Sequence, residues 1–272
     1  MNMHDSLKIM LQFYKEMGFD RLPLKSSEKL PTEGELKAST VAEARETNRR
    51  RESVSYELEK DRDSLSPDIL YPSPDTRHPA TGKEAALKAL REEIGDCRKC
   101  GLFAGRTHLV FGEGSPDADI MFIGEAPGHE EDLQGRPFVG EAGQLLTKLI
   151  EKMGFKRESV YIANIIKCRP PMNRDPLEDE MSVCSPHLDR QIEIISPMVI
   201  VSLGRISTYT LMGIKGPISK FSITRMRGKF YEYMGITVMP TFHPAYLLRS
   251  PKDKWLVWED AQAVLKKLNE LK

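Results

Sequence analysis

The chain has four cysteines, Cys97, Cys100, Cys168 and Cys184. Cys97 and Cys100 form a tight C-x2-C pair; Cys168 follows 68 positions later and Cys184 lies further downstream. Two tight pairs would point to a zinc ribbon. Here only the first pair is tight, and the other two thiols fall at a strand end and in a helix. Four thiolates drawn from separate elements suit a [4Fe–4S] cluster. A zinc site and unconnected thiols are the other readings of this spacing. Disulfides are a poor account of thiols in a chain with no secretory signal, because the cytosol keeps them reduced.

Four further constellations could carry chemistry. Gly124-Glu125-Ala126-Pro127-Gly128 follows an apolar run. Its glycines and proline force a tight turn whose backbone N–H groups can grip a carbonyl or an anion. An ordinary strand-to-loop turn reads the same way. In Gly135-Arg136-Pro137-Phe138-Val139-Gly140, Phe138 is either a platform for a flat ring or a core side chain under the loop. Asn164 breaks the apolar run Tyr161–Ile166; its amide can read the edge of a base or pin a neighbouring loop. His243 opens His243-Pro244-Ala245-Tyr246-Leu247-Leu248-Arg249 and could hold a developing negative charge.

These residues need elements to position them. DADIMFIGE (117–125), SVYIANIIK (159–167) and PMVIVSLG (197–204) read as apolar strands, and 228–244 as two short ones. GKEAALKALREEIGD, GEAGQLLTKLIEKMG (140–154, closed by Gly154), RISTYTLMG and 252–272 read as helices. Residues 179–196 read as a helix interrupted at Pro186. Strands alternating with helices predict one α/β domain over 83–272 with a central, mostly parallel sheet, whose sites form at the carboxyl ends of the strands. Before it, Leu7, Met10, Leu11, Tyr14 and Met17 recur at helical spacing in a short amphipathic helix over 1–20, a candidate docking element for a protein partner. Residues 21–82, dense in charge, Ser and Pro, read as a disordered linker.

The bulk composition fits a soluble globular protein: 40% apolar, 29% charged and a formal net charge of zero. There is no apolar run long enough for a membrane span and no signal-peptide core, so the expected compartment is the cytoplasm. The zero net charge hides a local excess. Residues 201–250 carry seven basic side chains (Arg205, Lys215, Lys220, Arg225, Arg227, Lys229, Arg249) against one acid, Glu232. That is either a solvated face or the footprint of an anionic partner.

Taken in order, CRKCGL, GEAPGHEED, GRPFVGEAG, YIANIIKCRPPMNR, Cys184 and HPAYLLR resemble the thermostable, iron–sulfur uracil-DNA glycosylases, family four of that superfamily. The resemblance runs from about residue 88 to the C-terminus. It implies a three-layer α/β/α domain with a four-stranded parallel sheet. It implies that the four cysteines hold a [4Fe–4S] cluster with a mainly structural role. It puts uracil between the GEAPG turn (Ala126, Gly128), Phe138, Asn164 and His243. A related branch attaches to DNA through a histidine in an extra basic loop before the third cysteine. Ile166-Lys167-Cys168 runs without such a loop, so ordinary turnover is expected.

On this reading the substrate is uracil-containing DNA, acted on by a monomer. The base is flipped out, at least cost from a mismatch. His243 then stabilises charge growing at uracil O2, Asn164 reads the O4/N3 edge, Phe138 stacks on the ring, and Glu125 positions water or stabilises the sugar cation. Arg225, Arg227 and Arg249 contact phosphates, and Leu247 or Leu248 wedges into the vacated stack. The competing reading is a non-catalytic nucleic-acid-binding protein with a redox-sensing cluster, which would need the cysteines and the basic stretch but neither Asn164 nor His243. A phosphate-loop enzyme ranks below both, because GEAPG lacks the spacing of either nucleotide fingerprint.

Overall fold

The computed structural model describes residues 80–272, with side chains from residue 82. The helix expected over 1–20 and all but the end of the linker expected over 21–82 lie outside the described residues.

Six strands form one sheet. In chain order they are β1 (Glu113–Gly114), β2 (Ile120–Gly124), β3 (Tyr161–Asn164), β4 (Val199–Leu203), β5 (Tyr231–Tyr233) and β6 (Ile236–Thr241), arranged β1-β3-β2-β4-β6-β5. The central four are mutually parallel, as expected; β1 and β5 add antiparallel edges, so the sheet is six-stranded rather than four-stranded. Neither edge strand exceeds three residues, which limits the unpaired backbone an edge presents.

The helices are α1 (Ala80–Ile94), α2 (His129–Gln134), α3 (Glu141–Lys152), α4 (Glu178–Ile195), α5 (Arg205–Leu211), α6 (Ile223–Met226), α7 (Pro244–Arg249) and α8 (Lys254–Leu271). Successive side chains of a strand point to opposite faces, and β2 shows the consequence. Met121 and Ile123 pack against Leu90 of α1, Leu188 and Ile192 of α4, and Ile206 of α5. Ile120 and Phe122 pack against Leu146 and Ile150 of α3, and Val264 and Leu268 of α8. Both faces of β2 are fully buried, which is why its sequence is a continuous apolar run rather than an alternation. The result is the expected three-layer α/β/α arrangement.

Pro186 does not interrupt α4, which runs unbroken from Glu178 to Ile195. Pro186 and Ser182 are exposed, so the carbonyl that loses its helical donor faces water. Met181, Leu188, Ile192 and Ile195 anchor the helix on both sides of the proline. Packing outweighs an interior proline cost of about 3 kcal/mol.

The basic stretch is also less available than its sequence suggests. Arg227 grips Asp260 of α8 through Nε (3.0 Å) and Nη2 (2.5 Å), and Nη2 also donates to the Leu256 carbonyl at 2.6 Å. Thr241 completes the carboxylate's partners at 2.6 Å. Burial pushes the Asp260 carboxyl up, against the pull of Thr241 and Arg227. Arg227 is therefore a tie between the end of α6 and α8, engaged by Asp260 rather than free for the phosphate contact expected of it. Arg227→Ala leaves a buried carboxylate without its cation and should lower the unfolding free energy in urea by about 3 kcal/mol. A loss within about 0.5 kcal/mol, the surface range, would mean that solvent already screens the pair.

Candidate active site

The parallel strands end together, and the loops leaving β2, β3, β4 and β6 bring Glu125, Asn164, Arg205 and His243 to one edge. Asn164 is the last residue of β3, in register with Gly124 of β2. It is 2% exposed, and its side-chain oxygen has no hydrogen-bond partner. A Cβ on Gly124 would stand 2.4 Å from that oxygen and 2.5 Å from the tip of the Phe138 ring. The missing side chain at Gly124 thus lets the amide and the ring share one small space.

Beyond Asn164 the chain leaves the ladder but stays tied to the turn: Ile165 and Ile166 donate to the Gly124 and Glu125 carbonyls at 3.0 and 3.2 Å. Lys167, fully buried, donates to the Asn164 carbonyl (2.9 Å) and to Gln191 (2.6 Å). Burial pushes its ammonium down to about 8. The backbone of Asn164 is pinned while its side-chain oxygen stays without a partner.

Phe138 adopts a left-handed backbone, φ 52°, rare for a bulky residue. Two features hold it there. A Cβ on Gly143 of α3 would lie 1.9 Å from the Phe138 carbonyl oxygen, so only glycine permits this approach. Glu131 of α2 accepts from the N–H groups of Val139 (2.8 Å), Gly140 (3.0 Å) and Gly128 (3.1 Å), clamping the Phe138 loop to the GEAPG turn. The ring is buried in the core and faces His243 at 5.6 Å between centroids. Glu131 was not singled out in the sequence. Its position three residues after Gly128, a capping spacing, was the available signal.

The clamp changes the reading of the turn. The Gly128 N–H is already engaged by Glu131, so it does not serve as a donor to a bound base in this arrangement. Pro127 has no N–H. The Glu125 and Ala126 N–H groups meet no acceptor among the described residues, so they are the turn's open donors.

His243 caps α7: its Nδ1 accepts from the Ala245 N–H at 3.1 Å. An accepting Nδ1 puts the ring proton on Nε2. Burial, helped by the nearby charge of Arg249, pushes the imidazole down to about 4, while Glu131 pulls the other way. At neutral pH this is a neutral ring with one N–H to give.

Glu125 moves in the opposite direction. Burial, then the charge of Asp175, pushes its carboxyl up to about 7, with Arg205 opposing. Asp175 and Arg205 form an ion pair, so a paired charge set modulates Glu125. Asp175 carried no motif and was not foreseen.

The four cysteines lie on the other side of β3. Cys97 and Cys100 precede a short 3-10 turn, Cys168 follows β3, Cys184 sits in α4, and all pack against the α1/α4 core. Among the described residues no three or more His, Cys, Asp or Glu side chains form a ready metal cage. The thiols are nonetheless neighbours. Burial raises Cys168, and Cys100 and Cys97 add to the rise. Cys184 is pushed up to about 11, again mainly by burial, with Cys168 and Cys100 contributing. Two donors already point at sulfur: Arg106 to Cys168 at 3.0 Å and the Lys167 N–H to Cys184 at 3.3 Å.

Of the remaining sequence candidates, Arg225, Leu248 and Arg249 are exposed. Leu247 is 4% exposed and packs with Phe242 and Val257, so it is core and not a free wedge. The helical phase of α7 decides this, since neighbouring residues cannot share a face.

The model of the uracil DNA glycosylase superfamily matches residues 111–265. A type-4 uracil-DNA glycosylase of Sulfurisphaera tokodaii is 50% identical over 191 residues, covering 68% of this chain and 84% of the relative. One from Thermotoga maritima is 46% identical over 183 residues, 66% of this chain and 93% of the relative. A type-5 uracil-DNA glycosylase of Pyrobaculum aerophilum is 29% identical over 149 residues, 49% and 64% of the two chains. The chain belongs to the uracil-DNA glycosylase superfamily and, within it, to the type-4 enzymes.

Proposed function

We propose that the chain excises uracil from DNA by hydrolysing the N-glycosidic bond, leaving an abasic site, with the base held between Asn164, Phe138, Ala126 and His243. One observation carries the pocket: a buried amide oxygen with no partner, at the carboxyl edge of a parallel sheet, beside an aromatic ring. Leaving such an acceptor unpaired costs about 1–3 kcal/mol, and an N–H of a bound base would satisfy it. The Asn164 amide offers an acceptor to uracil N3–H and a donor to O4. Cytosine presents an amine where uracil presents O4, so the amide discriminates between them. Phe138 forms the floor under the ring.

As the bond from C1′ to N1 breaks, negative charge grows on the base and positive charge on the sugar. Nε2–H of His243 donates to uracil O2, joined by the Ala126 N–H. A neutral imidazole suits this role, since it stabilises the oxygen without first surrendering a proton. Glu125, as a carboxylate, aligns water and faces the sugar cation. Arg225 and Arg249 contact phosphates, and Leu248 takes the wedge role given jointly to Leu247 and Leu248. The chain works as a monomer in the cytoplasm.

The donor set also supports a [4Fe–4S] cluster on Cys97, Cys100, Cys168 and Cys184. Four thiols share one side of β3, and a guanidinium and a backbone N–H already bond two of the sulfurs, the kind of outer contact that tunes cluster thiolates. When bound, the group supplies a structural cross-link between the segment before β1, the end of β3 and α4. Anaerobically purified protein should carry about four irons per chain and absorb broadly near ~400 nm. Stoichiometric zinc without iron would refute this.

The pocket is tested by two variants that should fail differently in single-turnover release from U·G, U·A and C·G duplexes. His243→Ala should slow uracil release by about 10²–10³. Asn164→Asp should lose uracil recognition and admit cytosine weakly, because a carboxylate accepts from the C4 amine. Parent rates in both variants, with folding intact, would remove these residues from the site.

The role of Glu125 predicts a pH dependence. Activity should rise as its carboxyl ionises, with kcat/KM climbing through pH of about 7 to a plateau. His243 titrates near 4, so it adds no inflection in this range. Asp175→Asn removes a negative neighbour and frees Arg205, so the rising limb should move to lower pH. A limb that stays put or moves up would disconnect Glu125 from the profile.

A further inference from the structure

We propose that Met172 is a second apolar wedge, which enters the base stack of duplex DNA from the Glu125 side of the pocket. The proposal rests on the pocket described above and adds a residue to which the sequence reading gave no role.

Met172 is 92% exposed, the most exposed of the large apolar side chains among the described residues. It sits in the turn Pro171–Asn173, and both Met172 (φ 54°) and Asn173 (φ 53°) are left-handed. Two consecutive non-glycine residues in this region are sterically unfavourable, and such backbone persists only when its surroundings over-determine it.

The surroundings do so here. At one foot of the loop, Arg169 donates to Asn173 Oδ1 at 2.8 Å and meets His129 Nδ1 at 3.0 Å, next to the GEAPG turn. At the other foot, Arg174 holds Glu180 through two bonds (2.6 and 2.8 Å), and Asp175 pairs with Arg205 at the start of α5. Asn173 and Arg174 N–H close the turn on the Pro170 and Pro171 carbonyls at 3.1 and 3.2 Å. Side-chain and backbone bonds at both feet hold the loop's shape, while the apolar side chain at its tip is left exposed.

Arg169 ties the loop to His129 after the GEAPG turn and Asp175 ties it to Arg205 after β4, so the loop borders the carboxyl edge through which, on the proposed reading, uracil enters. The phosphodiester chain has to cross that edge. Arg169 bonds Asn173 Oδ1 and His129 Nδ1 and has no carboxylate partner among the described residues, which leaves a cation beside the tip for a phosphate. A methionine is unbranched and polarizable, and apolar side chains of this kind insert between base steps and hold them unstacked. Leu248 lies on the His243 side, so two apolar side chains flank the pocket: one fills the vacated position and the other props the neighbouring step.

Met172→Gly tests this without disturbing the turn, because glycine accepts a positive φ at no cost. The measurements are single-turnover uracil release from U·A duplex and from the matching single strand, and the fluorescence of 2-aminopurine beside a non-cleavable 2′-fluorouridine. Met172→Gly should lose about tenfold on the duplex and less than about twofold on the single strand, where no stack has to be opened. The fluorescence rise on duplex binding should fall with it, and Met172→Leu should restore both. Equal losses on the two substrates would make Met172 merely structural and overturn the wedge. So would Met172→Gly matching the parent on the duplex. In that last case unimpaired release by the parent leaves the uracil pocket standing, whereas failure of the parent on both substrates would strike the pocket itself.

Discussion

A buried acceptor without a donor organises this edge of the molecule. The side-chain oxygen of Asn164 sits at the end of β3, out of water and unpaired. A group in that state is tolerated only when something else restores the bond. The neighbourhood is built around leaving it open. Lys167 and the Gly124 register pin the Asn164 backbone, Gly124 has no side chain to fill the space, and Gly143 lets Phe138 come under it. Glu131 then locks the Phe138 loop to the turn after β2 by taking three N–H groups at once.

Burial also sets the protonation of two titratable groups at this edge. Desolvation disfavours charge of either sign, so it raises a carboxylic acid and lowers an imidazole. Glu125 and His243 illustrate both directions at one site. The histidine is thereby kept as a neutral hydrogen-bond donor, and the cap to Ala245 decides which nitrogen carries the proton. The glutamate is kept near its midpoint at physiological pH, where neighbouring charges as modest as the Asp175–Arg205 pair can tip it.

Charge in this chain is often structural where the sequence makes it look functional. Arg227 faces Asp260, Arg174 faces Glu180 and Arg205 faces Asp175. Each ties two segments that surround the pocket or support it. Outside these pairs, Lys215, Lys220, Arg225, Lys229 and Arg249 are exposed, and Arg169 lies beside the strained loop without a carboxylate partner among the described residues.

The sequence alone determined the elements and the motif residues. Apolar runs mark β2, β3 and β4, because a strand buried on both faces has few polar positions. Asn164 was visible as the one amide in such a run, and the ordered motifs pointed to the family. What only the tertiary structure decided is which neighbours those residues have. Asp260 is 33 positions from Arg227, so no local pattern shows that the cation is taken. Leu247 and Leu248 are adjacent and equally apolar, and only the docking of α7 on Phe242 and Val257 turns one inward. The continuity of α4 through Pro186 depends on which side of the helix faces water. The edge strand β1, the Glu131 clamp and the Asp175 charge next to Glu125 arise from contacts between segments apart in the chain. Local propensity carries information over a few residues, whereas burial and charge pairing are settled only when distant segments meet.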